Sequence, residues 1–214
     1  MKIGILGTGN VAKVVGAKLR SLGHEVTLGS RDPENSPAKE WAARHGAEIS
    51  TLAQAAAAAE LVVNTAPGLA SLDVLTTAGT DNLDGKVVVD VSNGIESRNG
   101  VVAVATPDGG SVAEQLQKAF PRARIVKTLN TMAAQVMVDP GRIPGHHTVF
   151  LNGDDAAAKA EVAELLKSFG WTEAQIVDLG DVVGARATEA ALLLFIRLFN
   201  AFQTPEFNLS VAKA

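Results

Sequence analysis

At 214 residues, of which 47% are hydrophobic and 20% charged, the chain is long enough to bury a substantial core in one large domain with a modest appendage. A net charge of −4 leaves no basic surplus to neutralise a phosphate backbone, which argues against nucleic acid as a partner, and the lack of cysteine excludes disulfides, thiolate metal sites and thiol nucleophiles. The most apolar late stretch, Ala190 to Ile196, is cut by Arg197 and is too short to span a bilayer, so the expectation is a cytoplasmic protein with no membrane partner.

Short runs rich in Val, Ile and Leu alternate with longer stretches rich in Ala, Leu, Lys and Glu, a pattern that predicts βαβ units and a mostly parallel sheet. The expected strands are residues 2–6, 25–29, 48–49, 61–64, 87–91, 125–128, 148–152 and 174–178. A first helix starts near Asn10 and ends at a glycine cap, Gly23. Asp32-Pro33 with Asn35, Ser36 and Pro37 reads as a turn before a helix over 39–45, and the alanine run 55–59 as the packed face of a short helix. Ser111 and Glu114 have the spacing of a capping box for a helix that stops before Pro121. Asp139-Pro140-Gly141 and Pro144-Gly145 bracket a turn-rich segment. A helix over 154–169 ends at Gly170, and the strongly apolar helix 185–202 requires burial on several sides, against the sheet edge or a second subunit.

Gly7-Thr8-Gly9-Asn10-Val11-Ala12 follows the first strand and opens the first helix, the context that gives the G-x-G-x-x-[GA] pattern its meaning. Gly7 permits the tight turn, Gly9 lets a pyrophosphate approach the backbone, and the helix start offers unpaired amides and a positive dipole end. The predicted fold is therefore α/β, a Rossmann-like doubly wound sheet over residues 1–180, with residues 181–214 a small C-terminal helical extension. The second strand runs into Gly29-Ser30-Arg31, without the carboxylate that an NAD site places on the ribose hydroxyls. Ser30 as a hydrogen-bond donor and Arg31 as a charge-assisted fork suit a 2′-phosphate, which selects NADP(H).

In a doubly wound sheet the ligand crosses the carboxyl ends of the strands where their order reverses. Thr65, Ala66 and Pro67 are then expected under the ribose and nicotinamide, and Asn93 beside the carboxamide. Lys127, Asn130 and Thr131 are the polar groups nearest the hydride end; Lys127 is either a proton donor or an exposed cation, and no catalytic acid is otherwise evident. Adjacent His146 and His147 diverge on an extended chain without a carboxylate at ligand spacing, so no metal is expected. Arg186 and Glu189, three apart, read as an ion pair, and Ser92 lacks the glycine pattern of a nucleophile elbow.

The runs from Lys2 to Asn10 and from Gly23 to Arg31, with Asp90-Val91-Ser92-Asn93 and Lys127-Thr128-Leu129-Asn130-Thr131, resemble the NADP-dependent reductases of the deazaflavin coenzyme F420. The resemblance covers most of the chain and implies a homodimer that moves hydride between NADPH and a deazaflavin or flavin-like ring, with Thr8, Gly9, Asn10, Val11, Ser30 and Arg31 on the NADP. Two flat rings held face to face need little acid–base machinery, because proximity and orientation carry the catalysis. Two other readings share the scaffold: an imine or carbonyl reductase, and a redox sensor that binds NADP(H) without turnover. An open cavity beside Thr65, Asn93 and Asn130 favours a reductase, and a closed nicotinamide face favours the sensor.

Overall fold

The computed structural model describes residues 1–34, 36–99, 101–105 and 109–212. The strands are β1 (Lys2–Leu6), β2 (Glu25–Ser30), β3 (Glu48–Thr51), β4 (Leu61–Asn64), β5 (Val87–Asp90), β6 (Ile95–Arg98), β7 (Val101–Val104), β8 (Arg124–Thr128), β9 (Val149–Asn152) and β10 (Ile176–Asp178). Eight of them form one sheet in the order β10-β9-β8-β5-β4-β1-β2-β3, parallel throughout except for the antiparallel β8/β9 pair, and β6 and β7 form a separate hairpin. Strand order reverses between β1 and β4, which places the switch point over the ends of those two strands. Every residue of β4 and β5 is buried, as a central parallel strand covered on both faces requires.

The helices are α1 (Asn10–Ser21), α2 (Ser36–His45), α3 (Leu52–Ala58), α4 (Gly68–Ala78), α5 (Thr80–Leu83), α6 (Val112–Ala119), α7 (Ala134–Val138), α8 (Ala156–Phe169) and α9 (Ala185–Phe202). They divide the core in two. Ile3, Leu28, Trp41, Val126 and Trp171 pack on one face, with α1, α2, α7 and α8; Leu6, Val62, Leu75, Val88 and Leu116 pack on the other, with α3 to α6 and the start of α9. The far part of α9 leaves Leu193, Leu194, Phe199 and Phe202 exposed. Beyond α9 the chain turns back to β9, where Leu209 O accepts from Thr148 N at 2.8 Å and Asn208 Nδ2 donates to Thr148 O at 3.0 Å.

The structure differs from the sequence reading at several junctions. Ser36 and Pro37 open α2 instead of closing a turn, an arrangement proline tolerates because the first amides of a helix have no intrahelical partner; Asn35 lies outside the described residues. β3 runs on to Thr51, whose side chain caps α3 in a capping box with Gln54. The turn-rich segment holds a single helical turn, Pro140–Arg142, with Pro140 buried, and a similar turn, Glu173–Gln175, stands where β10 was expected to begin. The β6/β7 hairpin was not anticipated, although the Asn99-Gly100 dipeptide is a hairpin signal and Asn99 has a φ of 51°.

Candidate active site

The glycine loop is shaped by what touches it. Gly7 has a φ of +137°, and a Cβ there would lie 2.5 Å from Thr65 Oγ1, so only glycine lets the loop pass under β4. Thr65 in turn donates to Leu6 O from both its amide, at 3.1 Å, and its hydroxyl, at 3.0 Å, tying the ends of β1 and β4 together. At Gly9 a Cβ would meet no protein atom within 4 Å, and its backbone conformation is open to any residue. The space before Gly9 is thus a cradle that a side chain would fill. Gly9 also precedes α1 without a side-chain cap, and the first turn of α1 carries no acid, which leaves its amides for an anion.

Ser30 closes a small turn: its hydroxyl donates to Asp32 O at 2.7 Å and accepts from Asp32 N at 3.0 Å. The turn sets the position of the next residue. That residue, Arg31, is exposed and forms no ion pair among the described residues. Gly7, Gly9, Ser30, Arg31, Ala66 and Pro67 line one cleft of about 440 Å³.

A second cavity, of about 590 Å³, adjoins this cleft and shares Asn10, Val11, Thr65, Ala66 and Pro67 with it. Its walls come from remote segments: Asn93 after β5, Asn130 and Met132 after β8, Gln135 on α7, Leu192 and Phe195 on α9, and Pro205. Asn93 and Asn130 bind each other reciprocally, Asn93 Nδ2 donating to Asn130 O at 2.8 Å and Asn130 Nδ2 to Asn93 Oδ1 at 3.0 Å. The preceding Leu129 is buried with a φ of 62°, a left-handed conformation that costs a residue with a Cβ about 1 kcal/mol and gives the chain the corner it needs before Asn130. Thr131 is buried and is not among the cavity's lining residues.

Lys127 is neither an exposed cation nor presented to the cavity. It is fully buried, with Nζ donating to Ser92 O at 2.6 Å and ion-paired with Asp90 Oδ2 at 2.7 Å and Glu189 Oε1 at 2.9 Å. Glu189, itself 1% exposed, also accepts from Val112 N and Ala113 N at the start of α6. The expected Arg186–Glu189 pair is thus not formed; Arg186 binds Glu114 through two hydrogen bonds of 2.8 and 2.6 Å and draws its carboxyl below the ordinary range. Only half of the expected capping box survives: Ser111 Oγ accepts from Glu114 N, while the Glu114 carboxylate turns to Arg186 and the Ser111 hydroxyl. His147 is buried against Trp171 and bonds Pro140 O and Asn208, whereas His146 lies near Ala174 O, so the two rings diverge.

Residues 2–94 match the model of the family "NADP oxidoreductase coenzyme F420-dependent". A crystal structure from Arthrobacter sp. FB24, provisionally named an F420-dependent NADP-reductase, is 46% identical and superposes with a TM-score of 0.95 over 100% of both chains. The chain belongs to the coenzyme F420-dependent NADP oxidoreductase family. Other family resemblances run through both cavities: the F420-dependent NADP reductase of Methanothermobacter marburgensis is 29% identical over 210 residues, 92% of each chain. Metalloreductase STEAP3 of Rattus norvegicus is 30% identical over 95% of this chain, which spans only 38% of that protein.

The matched residues 2–94 contain the nucleotide cleft. Sequence reasoning missed Gln135, Leu192, Phe195 and Pro205, which form much of the second cavity's wall. The buried role of Glu189 was also missed, although an acid on a strongly apolar helix is itself a signal, since a buried carboxylate requires partners.

Proposed function

We propose that this protein is an NADP(H)-dependent oxidoreductase that transfers hydride between the nicotinamide and a deazaflavin or flavin-like ring. The observation that carries the proposal is the continuity of the two cavities through Asn10, Thr65, Ala66 and Pro67. A nucleotide binder without turnover has no use for a second open chamber of comparable size at the nicotinamide end. When bound, NADPH would supply the hydride, or NADP⁺ would accept it in the reverse direction. The chain's own groups do the rest: Gly9 and the uncapped start of α1 receive the pyrophosphate, Arg31 pairs with the 2′-phosphate, and the joined Asn93–Asn130 amides orient what lies between the chambers. Met132, Leu192 and Phe195 offer apolar surface to a flat ring and exclude water from it.

The absence of a general acid among the described cavity-lining residues suits hydride transfer between stacked rings, where orientation supplies most of the rate. We read residues 1–180 as the nucleotide-binding unit and 181–214 as the segment that completes the acceptor side. The exposed apolar residues of α9, with Ile95 and Val101 of the hairpin, support assembly as a homodimer, and we place the protein in the cytoplasm. The deciding assay is anaerobic NADPH oxidation against deazaflavin coenzyme, FMN, FAD, ferric chelates and small imines. Turnover with a ring acceptor and preference for NADPH over NADH is expected; turnover only with imines, or tight NADPH binding without turnover, would overturn the proposal.

A further inference from the structure

Four strands place a polar residue at the same level of the same sheet face: Asn64 of β4 is in register with Asp90 of β5, Asp90 with Lys127 of β8, and Lys127 with Asn152 of β9. All four are fully buried. This is an expensive place for charge, because each ion gives up its hydration, and such clusters are weak contributors to stability compared with apolar packing. What the cluster does hold is specific. Asn64 Oδ1 accepts from Ala66 N at 3.2 Å, Asp90 Oδ1 accepts from Ser92 N at 3.1 Å, and Lys127 Nζ donates to Ser92 O. Ser92 is thus gripped at both its amide and its carbonyl, immediately before Asn93. From the other side Glu189 reaches in from α9, and the next turns of that helix carry Leu192 and Phe195 into the second cavity.

We propose that Asp90, Lys127 and Glu189 are positioning residues that lock the α9 wall of the acceptor cavity to the Ser92–Asn93 floor at the nicotinamide end, and so set the separation of the two rings. The inference rests on the hydride-transfer reading above. Lys127 touches neither ring; it acts through the Ser92 carbonyl on one side and Glu189 on the other. Because orientation dominates this chemistry, loosening the lock slows transfer while leaving the pyrophosphate and 2′-phosphate contacts, which belong to β1, α1 and β2, intact.

The test uses Glu189→Gln, which leaves Lys127 paired with Asp90, and the neutral triple variant Asp90→Asn/Lys127→Met/Glu189→Gln, which avoids an uncompensated buried charge should the single variant fail to fold. Two measurements are made on whichever folds: single-turnover transfer to riboflavin or deazaflavin coenzyme against NADPH affinity by fluorescence titration, and amide hydrogen exchange without acceptor. The expected result is a transfer rate at least tenfold lower with NADPH affinity within twofold, together with faster exchange in peptides covering 90–94 and 186–196 but not in 4–12. An unchanged transfer rate below the melting temperature, or a loss matched by NADPH affinity, overturns the proposal. Should the unmodified protein reduce no ring acceptor, the hydride-transfer reading fails on that observation alone. The exchange arm then decides the lock by itself, and undisturbed protection at 90–94 overturns it.

Discussion

The nucleotide cleft and the acceptor cavity share a boundary and are built on different principles. The cleft is made largely of backbone: a turn that needs a positive φ, a cradle with no side chain in it, and the uncapped start of a helix, all within residues 7–12. The acceptor cavity is made of side chains that arrive from β5, β8, α7, α9 and the stretch beyond it, held by a buried ionic cluster. A backbone site tolerates little change in sequence and can be read from it; a side-chain site can be rebuilt around a new acceptor while the cleft stays as it is.

Gly9→Val should damage the cleft most. No protein atom opposes the new side chain, so thermal unfolding should change little, while the filled cradle should weaken NADPH binding about 100-fold or more by isothermal titration, roughly 2.7 kcal/mol. A variant that unfolds, or that binds as before, would show that Gly9 faces something other than the dinucleotide. Next in size is Arg31→Ala, for which loss of a charge-assisted contact predicts about 1.5–3 kcal/mol for NADPH and little for NADH. Equal losses for the two would remove Arg31 from the 2′-phosphate. Phe195→Ala sharpens the other half: trimming a partly buried wall residue should raise the KM for the ring acceptor about fivefold, roughly 1 kcal/mol, with NADPH affinity unchanged.

The smallest effect concerns the pair that fastens α9 outside the buried cluster. Arg186 lowers the folded-state pKa of Glu114, so the contribution of the pair is fully present above the ordinary carboxylate pKa and is lost as the pH falls through the lowered value. Thermal melts of the parent and Glu114→Gln should differ at neutral pH and converge in acid; curves that stay parallel to low pH would assign the stability of that contact elsewhere. The effect is modest because the Arg186 side chain is largely exposed.

How much of this was legible in the sequence follows the same division. The alternation of apolar runs located all eight strands of the main sheet, and the glycine pattern located the cleft, because local chain geometry leaves a local imprint. Lys127 was read as a candidate proton donor because a lysine near a hydride site has that chemistry; its burial depends on Asp90 and Glu189, which are 37 residues before and 62 after it and converge only in three dimensions. The Arg186–Glu189 spacing was equally uninformative, since each side chain prefers a partner on α6 or β8 to its neighbour on the same helix. Leu192, Phe195 and Pro205 look like ordinary apolar residues until the fold brings them to the cavity.

Pro205 lies in the segment after α9, whose attachment has its own consequence. Phe207 rests between Phe195 and Phe202, Thr148 is hydrogen-bonded to Asn208, Leu209 and Val211, Asn208 also bonds His147, and Glu206 pairs with Arg142. Contacts of this kind would hold a free peptide weakly. Joined to α9 through the exposed Gln203, the same residues are presented to their site at an effective concentration on the order of millimolar. One peptide-bond cleavage after Gln203 would therefore take Pro205 out of the wall of the acceptor chamber by dilution alone, with the sheet and the nucleotide cleft untouched.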